Sequence, residues 1–202
     1  MNKDDIEKYV KFVEKMIEDN FTNKDRKEKV LKMLEEIGHR YFLAPASSKK
    51  DFHSAFPGGL VFHSIGVLKN AMKVTSAMKI EESEISKESL VLVSLFHDLG
   101  KIGTLEKDFY VEQTNEWRQK NLGEFYTVNK DLADNLTHAQ RSVRLLSQFG
   151  ITLTDDEYAA ILFHDGHVLE SNRSSEATYS SNKLLRIMQF ADVYSTFCEE
   201  KM

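Results

Sequence analysis

Helix breakers are nearly absent from this chain, and that scarcity limits what it can fold into. Two prolines, Pro45 and Pro57, and nine glycines interrupt 202 residues. Across most of the remainder, apolar residues recur at three- and four-residue spacing, the period of a helix with one buried face. The pattern predicts a mainly α fold. Residues 2–19 (Ile6, Tyr9, Val10, Phe12, Val13, Met16, Ile17) and 24–41 (Val30, Leu31, Leu34, Ile37) read as amphipathic helices with their Lys and Glu residues on wet faces. An irregular segment, "FLAPASSKKDFHSAFPGG", carries both prolines and leads into a helix over residues 60–78. A nearly all-apolar helix follows over 87–99. The period then changes. "KDFYVEQ" and "GEFYTVN" are rich in β-formers and flank "TNEWRQKNL", which predicts a β-hairpin over 107–129 with a long tip, inserted on the helical body. Helices resume over 135–149, over 154–163, where "TDDE" is an N-terminal signal, and over 181–199. With no repeat, low-complexity tract or linker, residues 1–202 are expected to form one domain, with 1–41 packed on the rest as N-terminal helices.

A hydrophobic content of 41% is enough to bury a core. The net charge of -5 and pI near 5.8 argue against a broad grip on duplex nucleic acid or an anionic membrane, and suit a free nucleotide better. The one cysteine, Cys198, forbids an internal disulfide and fits a reducing compartment; its place in an apolar C-terminal helix predicts an inert, buried thiol. No apolar run has membrane-spanning length, and "MNKDDIEKYV" is charged where a secretory signal is hydrophobic. The expectation is a soluble, cytoplasmic protein that does not bind a membrane.

The chemistry concentrates where the apolar run Leu90–Phe96 ends in His97 and Asp98. A helix apolar on every face is buried, and an uncompensated carboxylate at its end costs several kcal/mol. A lysine or arginine would compensate it, and so would a divalent cation, for which neutral imidazole and carboxylate are the usual ligands. More such groups stand on other apolar segments: His63 after the turn "FPGG", and Asp192 in "LLRIMQFADVYSTF". Together they supply two nitrogen and two oxygen ligands.

The order His63, His97-Asp98, Asp192, with "HDLGKIG", resembles the HD superfamily of metal-dependent phosphohydrolases over residues 43–199. "APAS" (Ala44–Ser47) and "FHSAFPGGLVFHSIGV" (Phe52–Val67) look like the segment that carries the first histidine in HD-type hydrolases of bacteria and phages. The resemblance implies an HD-domain helical bundle around the metal site, with the β-hairpin as an insertion. It also implies a setting in a bacterial or phage-infected cell. In dinuclear relatives, histidines at the places of His138 ("THAQRS") and His164 ("LFHDGH") hold a second ion. By that analogy metal one takes His63, His97, Asp98 and Asp192, and metal two takes Asp98, His138 and His164. In the alternative with one ion, His138 caps its helix and His164 orients water or phosphate. Many relatives carry a further histidine directly after the one matched by His164; here that place is Asp165, with His167 two residues on. The implied cofactor is one or two divalent ions of Mn, Fe, Co, Ni or Zn, with Mg also admissible.

The resemblance makes Asp98, Lys101, His138 and His164 the catalytic set. Lys101 completes an HD-x-x-Lys pattern whose ammonium meets substrate phosphate in relatives, the alternative being a lysine placed by the helix dipole. Arg141, three residues after His138, would fork onto phosphate or form a surface ion pair. Tyr110, Trp117, Arg118 and Tyr126 of the hairpin would stack a base, or would pack the hairpin onto the body. The expected function is hydrolysis of a phosphate ester of a nucleotide or related small molecule by metal-activated water. The alternatives are a phosphodiesterase acting on cyclic nucleotides, oligonucleotides or RNA ends, and a non-catalytic nucleotide-binding regulator. An oligomer is compatible with all three.

Overall fold

The computed structural model describes residues 3–132, 134–166 and 179–199. Its order is α1 (Lys3–Asn20), α2 (Lys24–Leu43), α3 (Gly59–Ala77), α4 (Lys87–Phe96), a 3-10 turn (Leu99–Ile102), β1 (Tyr110–Glu112), α5 (Glu116–Leu122), β2 (Tyr126–Val128), α6 (His138–Gln148), α7 (Asp155–Leu162) and α8 (Lys183–Tyr194). A π-helical turn, Ser195–Glu199, ends it. The fold is mainly helical with one two-stranded antiparallel sheet. No helix among the described residues is long and apolar enough to cross a membrane.

Helix α4 is the innermost element, as its apolar faces require. Ser86 caps its N-terminus, the Oγ accepting from the Ser89 N–H at 3.0 Å, and Leu90, Val91, Leu92, Val93, Leu95 and Phe96 are all buried. Helices α1, α3, α7 and α8 enclose it. The core is continuous from Val13 and Ile17 of α1, through Val30 and Met33 of α2, to Met188 and Ala191 of α8.

The α-helical ladder stops at Phe96, short of the expected Leu99. The cause is tertiary. The Gly100 N–H donates to the Ser142 Oγ of α6 at 2.7 Å, and the Ser142 hydroxyl lies 2.7 Å from the His97 carbonyl and 3.0 Å from that of His138. The chain therefore tightens into the 3-10 turn beneath α6, with His97 and Asp98 at the bend.

Two further expectations are corrected. The tip of the hairpin is helix α5, capped by the Asn115 side chain and closed by Gly123 in the left-handed region (φ 59°). Tyr110 pairs with Val128, and Glu112 with Tyr126, in the short ladder below it. Cys198 is exposed, like Phe197 beside it, in the π-helical turn that follows α8.

Candidate metal centre

Five helices, or the turns that end them, bring six of the expected side chains to one point around Asp98, which is 2% exposed. On its Oδ2 side lie the Nε2 atoms of His63 and His97, each 3.6 Å away and 3.3 Å from each other. Asp192 of α8 adds its Oδ1 at 3.0 Å from His63 and 3.9 Å from His97. On the Oδ1 side lie the Nε2 atoms of His138 (3.3 Å) and His164 (3.5 Å), themselves 3.2 Å apart. Asp165 joins this second half, its carboxylate 3.1 Å from His138 and 3.7 Å from His164.

Local structure aims these rings. His138 is the first residue of α6, held by a capping box in which Thr137 and Gln140 bond each other's backbone. His97 Nδ1 lies 3.0 Å from the Ser94 carbonyl, and His164 Nδ1 lies 2.7 Å from that of Ile161. A carbonyl only accepts, so both Nδ1 atoms carry a proton and both Nε2 atoms face inward. Lone pairs converging on carboxylates repel unless positive charge lies between them. Asp98 Oδ1 is buried without a hydrogen-bond partner.

The sequence signature now meets the geometry: the HD domain family model matches residues 60–196, well over half of the chain. The chain belongs to the HD domain family. HD domains are typically metal-dependent phosphohydrolases that bind divalent cations. Neither the curated proteins nor the solved structures hold a match to the chain.

The residues of this HD domain fit such ions. Ligands about 2.1 Å from a cation stand about 3.0–3.4 Å from their neighbours in octahedral or tetrahedral geometry. The spacings within each half fall largely in or near that range, and both halves form ligand-spaced groups: His63, His97 and Asp192, then His138, His164 and Asp165. Charge agrees. Burial opposes ionisation of Asp98, yet Lys101, His97 and His138 outweigh it and hold the carboxyl well below its ordinary range. Burial also lowers His97 to about 4, keeping the imidazole neutral as a ligand must be. Burial would lower His164 too, but the Asp165 and Asp98 carboxylates push it up to about 9. Those carboxylates favour positive charge on the Nε2 side of His164, which a proton or a divalent ion held there would supply.

Lys101 stands beside the centre with its Nζ 2.6 Å from Asp98 Oδ2. It also lines a cleft of about 780 Å³ shared with Arg40, Ile102, Tyr110 and Tyr126. Two of the four aromatic and cationic hairpin residues therefore line the cleft that Lys101 also lines. Trp117 and Arg118 are not among the lining residues: Trp117 is exposed on α5, and Arg118 donates from Nε to Glu124 at 2.5 Å.

Arg141 is neither a phosphate fork nor a surface residue in this fold. It is 2% exposed, binds both oxygens of Asp134 at 2.9 Å, donates to the carbonyls of Gly100 (3.0 Å) and Leu136 (2.9 Å), and stacks 4.8 Å from the Phe109 ring. With four of its five N–H donors bonded to protein, it ties α6 to the 3-10 turn. His167 lies outside the described residues.

Two residues at the centre were given no role by the sequence. Asp165 occupied a place where relatives carry histidine, and its carboxylate is itself a ligand type, which was the available signal. His53 sits in the segment before α3 with its ring 4.8 Å from that of His63. Burial, helped by Lys101 and His63, holds it low at about 3. Its segment has no periodicity from which an inward orientation could be read.

Proposed function

We propose that this HD domain hydrolyses a phosphate ester of a nucleotide or related small molecule, with two divalent ions sharing Asp98. The observation that carries the reading is the division of Asp98: one oxygen faces His63, His97 and Asp192, the other faces His138, His164 and Asp165. The ions would supply Lewis-acid stabilisation and a water of lowered pKa. The chain's own groups do the rest. The carbonyls on the Nδ1 protons of His97 and His164 turn both Nε2 atoms inward, where each would offer a lone pair to an ion. Lys101, anchored on Asp98 and open to the cleft, places an ammonium where the phosphoryl charge develops. Tyr110 and Tyr126 offer ring faces along the same cleft for the organic part of the ester.

Charge supports a phosphate dianion as substrate. Three carboxylates (Asp98, Asp165, Asp192) against one ammonium leave two negative charges, and two divalent ions reverse that to two positive. A regulator that only bound a nucleotide would have no use for so complete a set of inward lone pairs. The test is hydrolysis of a panel of mononucleotides, cyclic nucleotides and short oligonucleotides with Mn, Co, Ni, Fe or Mg, with released phosphate and products quantified. Turnover of mononucleotides that is lost in Asp98→Asn is the expected result. Inactivity on every substrate with every metal would overturn the proposal.

A further inference from the structure

The loop before α3 is folded more tightly than a connection between helices needs. Ser54 adopts a left-handed conformation (φ 49°), unfavourable for a residue with a Cβ. Its carbonyl accepts from Ala46 (3.1 Å) and Phe56 (2.9 Å), and Gly59 passes so close that a Cβ there would lie 1.9 Å from that oxygen. The Ser47 hydroxyl donates to the His53 carbonyl at 2.6 Å. Both sides of His53 are thereby pinned, and the result is a ring turned inward against His63.

That ring ends in an unmet group. His53 Nε2 is buried and has no hydrogen-bond partner. A ring nitrogen of His53 lies within 4.8 Å of ligand atoms of His63 and Asp98, and the Lys101 ammonium is near enough to act on the ring electrostatically. A neutral imidazole beside an ammonium, on the rim of a centre built for cations, is completed by an anion's oxygen. Folding leaves that position to an incoming group.

We infer that His53 is a substrate-binding residue, its Nε2–H donating to an oxygen of the phosphoryl group that Lys101 also holds. This rests on the metal reading above and adds a contact to it. The Ser54 turn then has a purpose: it fixes the donor before substrate enters.

The experiment uses the full chain loaded with Mn. Metal content is measured by mass spectrometry and inorganic phosphate affinity by calorimetry, for wild type, His53→Ala and His53→Gln. Loss of a hydrogen bond to a charged group predicts phosphate binding weaker by about 10- to 100-fold in His53→Ala. Metal content should be unchanged, and His53→Gln, which keeps an N–H donor, should recover part of the loss. If His53→Ala does not fold, the Gln variant carries the test, with affinity measurably weaker than wild type, by up to about 10-fold. Phosphate affinity equal to wild type in either folded variant overturns the inference, as does wild type that takes up metal but binds no phosphate. A fall in metal content also overturns it, because His53 would then be a ligand. Wild type that takes up no divalent metal overturns the proposed function itself, and this inference with it.

Discussion

Gly100 lies so close to His138 that a Cβ added to the glycine would stand 2.0 Å from the histidine's carbonyl oxygen and 2.8 Å from the Arg141 Cβ. The two halves of the candidate centre meet at this contact, since Gly100 follows the His97-Asp98 bend and His138 opens α6. Gly100→Ala is expected to push α6 from the 3-10 turn, breaking the Ser142 bonds and destabilising the fold by about 2–4 kcal/mol. Gly38→Ala in α2 is the control. Its Cβ would meet the Phe42 ring at 3.4 Å and the Leu34 Cβ at 3.8 Å, so its effect should lie between neutral and about 1 kcal/mol stabilising. Denaturant unfolding of both variants checks the pair.

Asp98 stands between two ligand groups with separate third members, and this predicts separable metal losses. Asp192→Ala should weaken the ion beside His63 and His97, and Asp165→Ala the ion beside His138 and His164, each by about 10- to 100-fold. Asp98→Ala should affect both. Metal stoichiometry after dialysis, measured for the three variants, distinguishes this pattern from a single-ion site, in which Asp165→Ala would leave metal content unchanged.

Lys101 is paired with Asp98 and faces the cleft, so its loss should act on catalysis more than on metal retention. Lys101→Ala is expected to lower kcat/KM by about 10²- to 10³-fold with metal content kept. Lys101→Arg should recover little, because a planar guanidinium does not fit the pocket of an ammonium held 2.6 Å from Asp98 Oδ2.

Much of the architecture was legible because helical periodicity records which face is buried. The apolar surround of Leu90–Phe96 announces its depth whatever packs on it. Polar convergence is harder to read. Arg141 shares a helix face with His138, but its partner Asp134 lies in the irregular stretch before α6, and no spacing rule links the two. Asn115 and Gly123 are ordinary helix-capping residues, yet α5 spans only Glu116–Leu122, too short for its period to stand out between two strands. Cys198 sits in an apolar stretch that reads as helix, and a π-helical turn alters which residues face inward. His53 depends on a loop whose course is set by Ser54 and Gly59 in contact, a fact of three dimensions.

Acid should weaken the attachment of the N-terminal helices. Burial raises the Glu88 pKa, but the N–H groups of Asn23 and Thr22, the Thr22 hydroxyl and Arg26 outweigh it, leaving the carboxyl below its ordinary 4.5. A carboxyl depressed on folding stabilises the folded state above its unfolded pKa, and that contribution is lost as pH falls through the folded value. Wild type should therefore melt above Glu88→Gln by a constant margin from pH 7 to about 5, with the margin closing below about 4.5. Thermal unfolding followed at several pH values checks the trend. A margin that widened in acid would contradict it.

Arg26 of α2 reaches Glu88 at 3.3 Å and the fully enclosed Glu157 at 2.5 Å. The family match starts only at residue 60, so the inherited pattern and the physical support for it have different borders. A polypeptide trimmed to 60–196 would strand the Glu157 anion without its guanidinium and strip α4 of the cover given by Val13 and Ile17. Grafting this segment onto another scaffold would therefore require carrying α1 and α2 along, or designing a substitute for both the oily cover and the cation.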